Sequence, residues 1–157
     1  MPETGILWQN RGASFTLEPG PNELAPGRLP LRTLNPAMAR LNDGTMLAYG
    51  TMGGEGQPQT QAAIFTRHVV FGHDMQAAVP APRWLLGRTW GESATNLKVE
   101  SHLSSALVER LRQAEHDVEV IEACDDRMGH PGMVSIAPSG VISAATDPRS
   151  DDSCAGL

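Results

Sequence analysis

Cysteine is scarce. There are two, Cys124 and Cys154, and neither belongs to a CxxC pair. Nothing indicates a disulfide framework, and reduced, structural thiols are expected. The five histidines (His68, His73, His102, His116 and His130) never fall at HxH or HxxxH spacing, so no metal site and no cofactor are expected. No stretch of about 18 apolar residues is present, so no membrane span is expected. The start, MPETGILWQN, has neither a basic n-region nor an apolar h-region. No signal peptide is read there, and the expected location is cytoplasmic. Positive charge is in deficit, with a net charge of −6. That argues against a nucleic-acid or acidic-membrane partner. Charged residues are only 19% of the chain, too few for a disordered polyelectrolyte. The length, 157 residues, suits one domain or a large piece of one.

Local patterns give an element order. Gly5 to Trp8 reads as a short strand. From Gly12 to Pro30, four prolines (Pro19, Pro21, Pro26 and Pro30) exclude helix. Pro36–Leu41 and Thr45–Tyr49 flank Asp43-Gly44, the type I′ hairpin dipeptide, and read as paired antiparallel strands. A helix is predicted from Pro58 to Phe71, ending at Gly72, and a short one over Met75–Val79. Trp84–Leu86 and Asn96–Glu100 look like strands. Ser104 or Ser105 caps a helix with Leu107, Val108, Leu111 and Ala114 on one face. Val118–Ile121, Met133–Ala137 and Val141–Ala145 read as strands, the last two joined by a tight turn at Pro138-Ser-Gly140. The class is α+β, with mostly antiparallel sheets and helices packed on them.

Between the first hairpin and its helix lies GTMGGEGQPQTQ, Gly50 to Gln61. Backbone N–H groups near a helix N-terminus favour anions and oxyanions. A phosphate loop is poorly matched: neither GxxxxGK[ST] nor GxGxxG is present, and Glu55 sits inside the segment. An oxyanion hole needs two neighbouring N–H groups aimed at one oxygen, which Gly53-Gly54 supplies. A tight turn whose glycines serve only conformation is the alternative.

Four segments in order, GILWQNRG (Gly5–Gly12), PGRLPLRTLNPAM (Pro26–Met38), YGTMGGEGQPQTQ (Tyr49–Gln61) and SAATDPRSDDSCAG (Ser143–Gly156), resemble the gamma-glutamyltransferase family of N-terminal-nucleophile hydrolases. Ala78–Arg83, AVPAPR, adds to the match. The resemblance is to the small subunit and, through GGEGQPQ, to the branch that includes oxamate-amidohydrolase-like enzymes. It implies a four-layer αββα sandwich, of which residues 1–157 are the C-terminal part, taken as one domain. It also implies a self-cleaving precursor, a threonine nucleophile at the new N-terminus, and a threonyl acyl-enzyme resolved by water or an amine. Gly53 and Gly54 correspond to the two glycines whose N–H groups hold the oxyanion.

Against that family pattern, the nucleophile has no counterpart here: Thr4 abuts the Gly5 segment and is not assigned the role. The chain is expected to be the substrate-pocket and oxyanion-hole part of an amidohydrolase, inactive without a large subunit and the rest of the small one. The alternative is a non-catalytic fragment or binding subunit. A fragment would expose unpaired strand edges and apolar surface where the missing strands belong, whereas a soluble, stable monomer would fit the alternative. At the substrate site the family's acidic residue before phenylalanine is replaced by Ser14. Arg11 stands three positions earlier, and Arg32-Thr33 take the place of paired serines. Losing an anion and gaining cations suits a small amide that carries a carboxylate and no α-amine. The alternative for Arg11 and Arg32 is pairing with acidic groups of the missing subunit. Asp147 and Arg149 of DPRS read as a structural ion pair. Trp8, Trp84 and Trp90 read as packing residues, Asp125-Asp126 as a solvated turn, and His130 is given no role.

Overall fold

The computed structural model describes residues 3–5, 11–30, 34–88, 94–151 and 153–156. Most of the strand expected over Gly5–Trp8 lies outside these residues, as does Trp90. The chain divides into two compact units, Met1–Leu34 and Asn35–Leu157. Among its described residues the first contains one 3-10 turn, Arg11–Ser14, closed by the Ser14 hydroxyl donating to the Arg11 carbonyl at 2.8 Å. This turn precedes Pro19. Beyond it the prolines hold the chain in turns, tied by Arg28 Nη1 donating to the carbonyls of Gly20 and Glu23.

In the second unit a four-stranded antiparallel sheet runs in the order β1-β2-β6-β7, with β1 Ala37–Arg40, β2 Met46–Gly50, β6 Gly132–Ile136 and β7 Ile142–Ala145. The hairpin between β1 and β2 is where the sequence places it, but its turn is not type I′. The Leu41 N–H donates to the Thr45 carbonyl, and the Gly44 N–H to the Leu41 carbonyl. Gly44 has φ +90°, whereas Asp43 is not among the residues with positive φ. Three residues therefore span the turn and only the glycine is left-handed, a type I turn with a glycine bulge. Asp43 instead accepts from the Thr45 N–H through its carboxylate. The turn at Pro138-Ser-Gly140 repeats this pattern, with Gly140 at φ +86°.

Alternation along the strands gives the sheet two faces. One presents Leu47, Met133 and Ala145 to Ile64, Met75 and Val79 of the helical layer. That layer comprises α1, Gln57–Phe65, and α2, Met75–Ala78. Tyr49 of β2 stacks on Phe65 of α1 with centroids 5.3 Å apart. The other face carries two registered rows, Met38-Ala48-Val134-Ala144 and Arg40-Met46-Ile136-Ile142. It is mostly apolar yet open: Met38 is 73% exposed and Ile142 66%.

A smaller sheet has the order β3-β4-β5, with β3 Trp84–Leu86, β4 Leu97–Glu100 and β5 Val118–Ile121. β3 and β4 are antiparallel, but β4 and β5 are parallel, joined across α3, Ser105–Gln113. This βαβ unit departs from the expected run of hairpins, although antiparallel pairing still dominates. α3 begins after Ser104 as predicted, but the serine hydroxyl makes no capping bond. Asp74 does cap α2, accepting from the N–H groups of Gln76 and Ala77.

α1 has no apolar stripe because it is buried on several sides: Gln57, Thr60, Gln61, Ala63 and Ile64 are all buried. Its start is set by a 3-10 turn, Gly54–Gly56, and by Pro58 in the first turn. Near the expected end at Phe71 it widens into a π turn over Thr66–Val70, and the Thr66 hydroxyl bonds the Ala62 carbonyl. The glutamines of GGEGQPQTQ have structural duties. Gln59 donates to the Leu86 carbonyl and accepts from its N–H, both at 2.8 Å, acting as a one-residue substitute strand on the edge of β3. Gln76 does the same for Thr146 beyond β7. Gln61 donates to the Asn35 carbonyl. Among the described residues, no helix is long and apolar enough to cross a membrane.

Candidate active site

The glycine loop leaves β2 at Gly50 and enters α1 through two consecutive left-handed residues, Gly53 (φ +133°) and Gly54 (φ +52°). Such a pair is restricted to glycine at the first position and strongly favours it at the second. The turn closes through the Gly56 N–H to the Gly53 carbonyl at 2.9 Å. Gly56 is tight for a different reason: a Cβ there would stand 2.8 Å from Leu85 Cδ1, so the Leu85 side chain would have to shift. Behind the loop, the N-terminus of α1 adds the positive end of the helix dipole.

Gly53 is pressed against a second glycine. A Cβ on Gly53 would lie 3.3 Å from the Cα of Gly129. Gly129 has φ +77° and ψ 169°, and a Cβ there would strike the Met52 carbonyl and the Thr51 hydroxyl. The segment carrying Gly129 is held from two sides. The Thr60 hydroxyl of α1 donates to the Met128 carbonyl at 3.0 Å, and Arg83 Nη2 donates to the Gly129 carbonyl at 3.1 Å.

Arg83 belongs to a buried four-residue ion cluster. Its Nη2 meets Asp147 Oδ2 at 2.5 Å, Asp147 Oδ1 meets Arg149 Nη1 at 3.0 Å, and Arg149 Nε donates to Glu100 Oε1 at 2.7 Å. Glu100 also accepts from the Arg83 backbone N–H at 2.8 Å. All four side chains are essentially without solvent contact, and two cations balance two anions. Burial pushes the Arg83 guanidinium down to about 10, against the pull of Asp147. For Arg149 burial acts in the same downward direction, but hydrogen bonds to Glu100 and the charge of Asp147 outweigh it, and its value is raised. The ion pair expected at DPRS is therefore present and extends to Arg83 and Glu100. Neither of these stands out in the sequence, since a lone Arg after a proline and a Glu ending LKVE look like surface residues.

Two further charges shape the loop. Glu55 pairs with Arg88 Nε at 3.2 Å on the exposed side, so the acid inside the glycine segment has a cationic neighbour brought by the fold. Asp125 opens the 3-10 turn Asp126–Met128 and accepts from the backbone N–H of Arg127. Its side-chain bonds to Arg127 hold it below its ordinary value of 3.8, against a smaller opposing effect of burial. Because the folded value is depressed, this carboxylate adds stability that is complete above pH 3.8 and lost as pH falls through the folded value. Acidification below that point should lower the protection of the Met128 and Gly129 amides relative to their intrinsic exchange rate at each pH, and Asp125→Ala should show the faster exchange already at neutral pH. Equal exchange in the two proteins at neutral pH would refute this.

The remaining site residues read from the sequence lie in the other unit or beyond description. Arg11 and Ser14 share the 3-10 turn of the Met1–Leu34 unit, and the Ser14 carbonyl accepts from Asn22 Nδ2. Arg32 and Thr33 fall outside the described residues. Cys124 and Cys154 are both free and exposed.

The Gamma-glutamyltranspeptidase family model matches residues 1–157. The oxamate amidohydrolase proenzyme of Klebsiella pneumoniae is 54% identical over 157 residues, which are 99% of this chain and 30% of that protein. The glutathione hydrolase-like YwrD proenzyme of Bacillus subtilis is 40% identical over 156 residues, again 99% of this chain and 30% of that one. The chain thus spans about a third of the length of these relatives. In fold, gamma-glutamyltranspeptidase from Pseudomonas nitroreducens complexed with L-DON superposes with a TM-score of 0.73 at 17% identity, covering 100% of this chain and 84% of that one. Since the family model spans the whole chain and the α+β layers match the fold of a solved member, the chain belongs to the gamma-glutamyltranspeptidase family.

Proposed function

We propose that this chain supplies the oxyanion hole and part of the substrate pocket of an amidohydrolase that opens amide bonds through a threonyl acyl-enzyme. The observation that carries the reading is the Gly53-Gly54 pair at the head of α1, fixed in a conformation few other residues adopt and braced by Gly129. As a threonine oxygen attacks the amide carbonyl, negative charge develops on the carbonyl oxygen. Two backbone N–H groups aimed at that oxygen stabilise the transition state without reorganising. The nucleophile comes from a segment outside this chain, and the chain alone is inactive. The open apolar face of the four-stranded sheet, Met38, Val134, Ile136 and Ile142, is where that partner packs. For the substrate, Arg11 and Arg32, with Ser14 and Thr33, favour a small amide bearing a carboxylate and lacking an α-amine. The name of the 54%-identical relative, an oxamate amidohydrolase, supports this choice over a gamma-glutamyl amide.

The test uses the protein assembled with its nucleophile-bearing part. Gly53→Ala should lower kcat about 100-fold or more with little change in KM, the signature of a lost transition-state contact. Oxamate should be turned over with a higher kcat/KM than gamma-glutamyl-p-nitroanilide. A Gly53→Ala enzyme with unchanged kcat would sink the oxyanion assignment. The opposite substrate order would sink the carboxylate preference. Turnover by residues 1–157 alone would sink the division of labour.

A further inference from the structure

A groove lies on the far side of the small sheet from the ion cluster. α3 covers β4 and β5, where Val108 packs on Leu97 and Val99. It leaves the edge strand β3 bare on that side: Trp84 is 41% exposed and Leu86 57%. The space beside α3 is about 460 Å³, with Trp84, Leu86, Leu107 and Leu111 among its apolar walls. That volume and that lining are typical of a site for a small organic ligand. Among the described residues, the polar groups on it are Arg67 and His116, and none of the residues lining it is acidic. A guanidinium on an apolar groove, in a chain of net charge −6, marks a local preference for an anion.

Arg67 is held in place there. It stands 6.0 Å over the Trp84 ring, with Nη1 donating to the Ala81 carbonyl at 3.3 Å and Nη2 to that of Pro82. A guanidinium offers five donors, so two bonds to carbonyls leave it able to grip a carboxylate. Burial holds its pKa below the ordinary value, with repulsion from Arg149 in the same direction. The charge of Glu100 opposes these effects, and a bound carboxylate would add to that opposition.

We propose that this groove binds an amphipathic monocarboxylate, its hydrocarbon or aryl tail lying along Trp84, Leu86 and Leu107 and its carboxylate at Arg67. The site is separate from the glycine loop and does not depend on the amidohydrolase reading.

The experiment titrates the full protein with dodecanoate below its micellar range, by calorimetry, with dodecanol as the uncharged control. One saturable site is expected, with dodecanoate about tenfold tighter than dodecanol, as a single charge-assisted contact gives. Arg67→Gln should erase that difference. Leu107→Trp, which fills the groove and leaves the Arg67 anchors untouched, should weaken both ligands about tenfold or more. Absence of saturable binding, equal affinity for the two ligands, or unchanged binding by a folded Leu107→Trp protein would each overturn the proposal. So would sedimentation showing a dimer that Leu107→Trp dissociates and dodecanoate does not, which would assign the groove to a second copy of the chain.

Discussion

Gly129→Ala should cost about 3 kcal/mol or more of stability and should displace the glycine loop. Gly129 combines φ +77° with ψ 169°, a region other residues reach only under strain. The space is also closed, because an added methyl would run into the Met52 carbonyl and the Thr51 hydroxyl. The Met52 carbonyl belongs to the backbone leading into Gly53, so relief of that clash requires the loop itself to move. Gly129 cannot retreat freely, because Arg83 holds its carbonyl and Thr60 holds the one before it. Urea denaturation of wild type and variant measures the loss. Amide exchange at Gly53 and Gly54 separates a displaced loop from simple global destabilisation. A variant within 1 kcal/mol of wild type, with unchanged exchange at both glycines, would show that the two glycine segments do not brace each other. Ala at Gly72, also left-handed (φ +70°) but with nothing near its Cβ, is the control for conformational strain without a clash.

Much of this arrangement was legible in the residues. Asp43-Gly44 and Pro138-Ser-Gly140 marked both hairpin turns, because tight hairpin loops of this kind need a left-handed residue and glycine provides it most readily. Their class was misread at Asp43-Gly44, since the dipeptide does not show how many residues the turn spans. α1 was found by its glycines and Pro58, not by periodicity, because a helix buried on several sides has no polar face to reveal. The parallel pairing of β4 and β5 was hidden, because alternation records which side of a strand is covered and not which way its neighbour runs. In β4 even the alternation fails: all four residues of LKVE are buried. Lys98 reaches Asn96 Oδ1 at 2.9 Å, and Glu100 reaches Arg149, so charged residues on that strand are interior ones. Gly129 gave no signal, since its need for glycine comes from Thr51 and Met52, more than 70 positions away in the chain.

Asp147→Asn should destabilise the protein by about 3–5 kcal/mol, the range for removing one member of a buried ion pair. The carboxylate serves three donors: Arg83 Nη2, Arg149 Nη1 and the Arg149 backbone N–H. An asparagine presents one oxygen and one NH2 group, so at least one guanidinium faces a donor instead of an acceptor. The cluster also changes from neutral to a net positive charge in a place without solvent, which is the larger effect. Arg83 already bears most of the burial strain, its pKa pushed down to about 10, and Asp147 is what keeps it charged there. Arg149 keeps Glu100 as a partner. The excess charge therefore falls on Arg83, and that predicts its own rescue: Asp147→Asn combined with Arg83→Met restores neutrality and should recover about half or more of the lost stability, a coupling of the size found between groups in one network. The rescue has a limit, because Met at position 83 cannot hold the Gly129 carbonyl. Stability should return while fast amide exchange at Gly129 persists. Additive effects of the two substitutions would show that Arg83 and Asp147 stabilise the fold independently, and a single Asp147→Asn loss below 1 kcal/mol would show that the cluster is not held by this carboxylate at all.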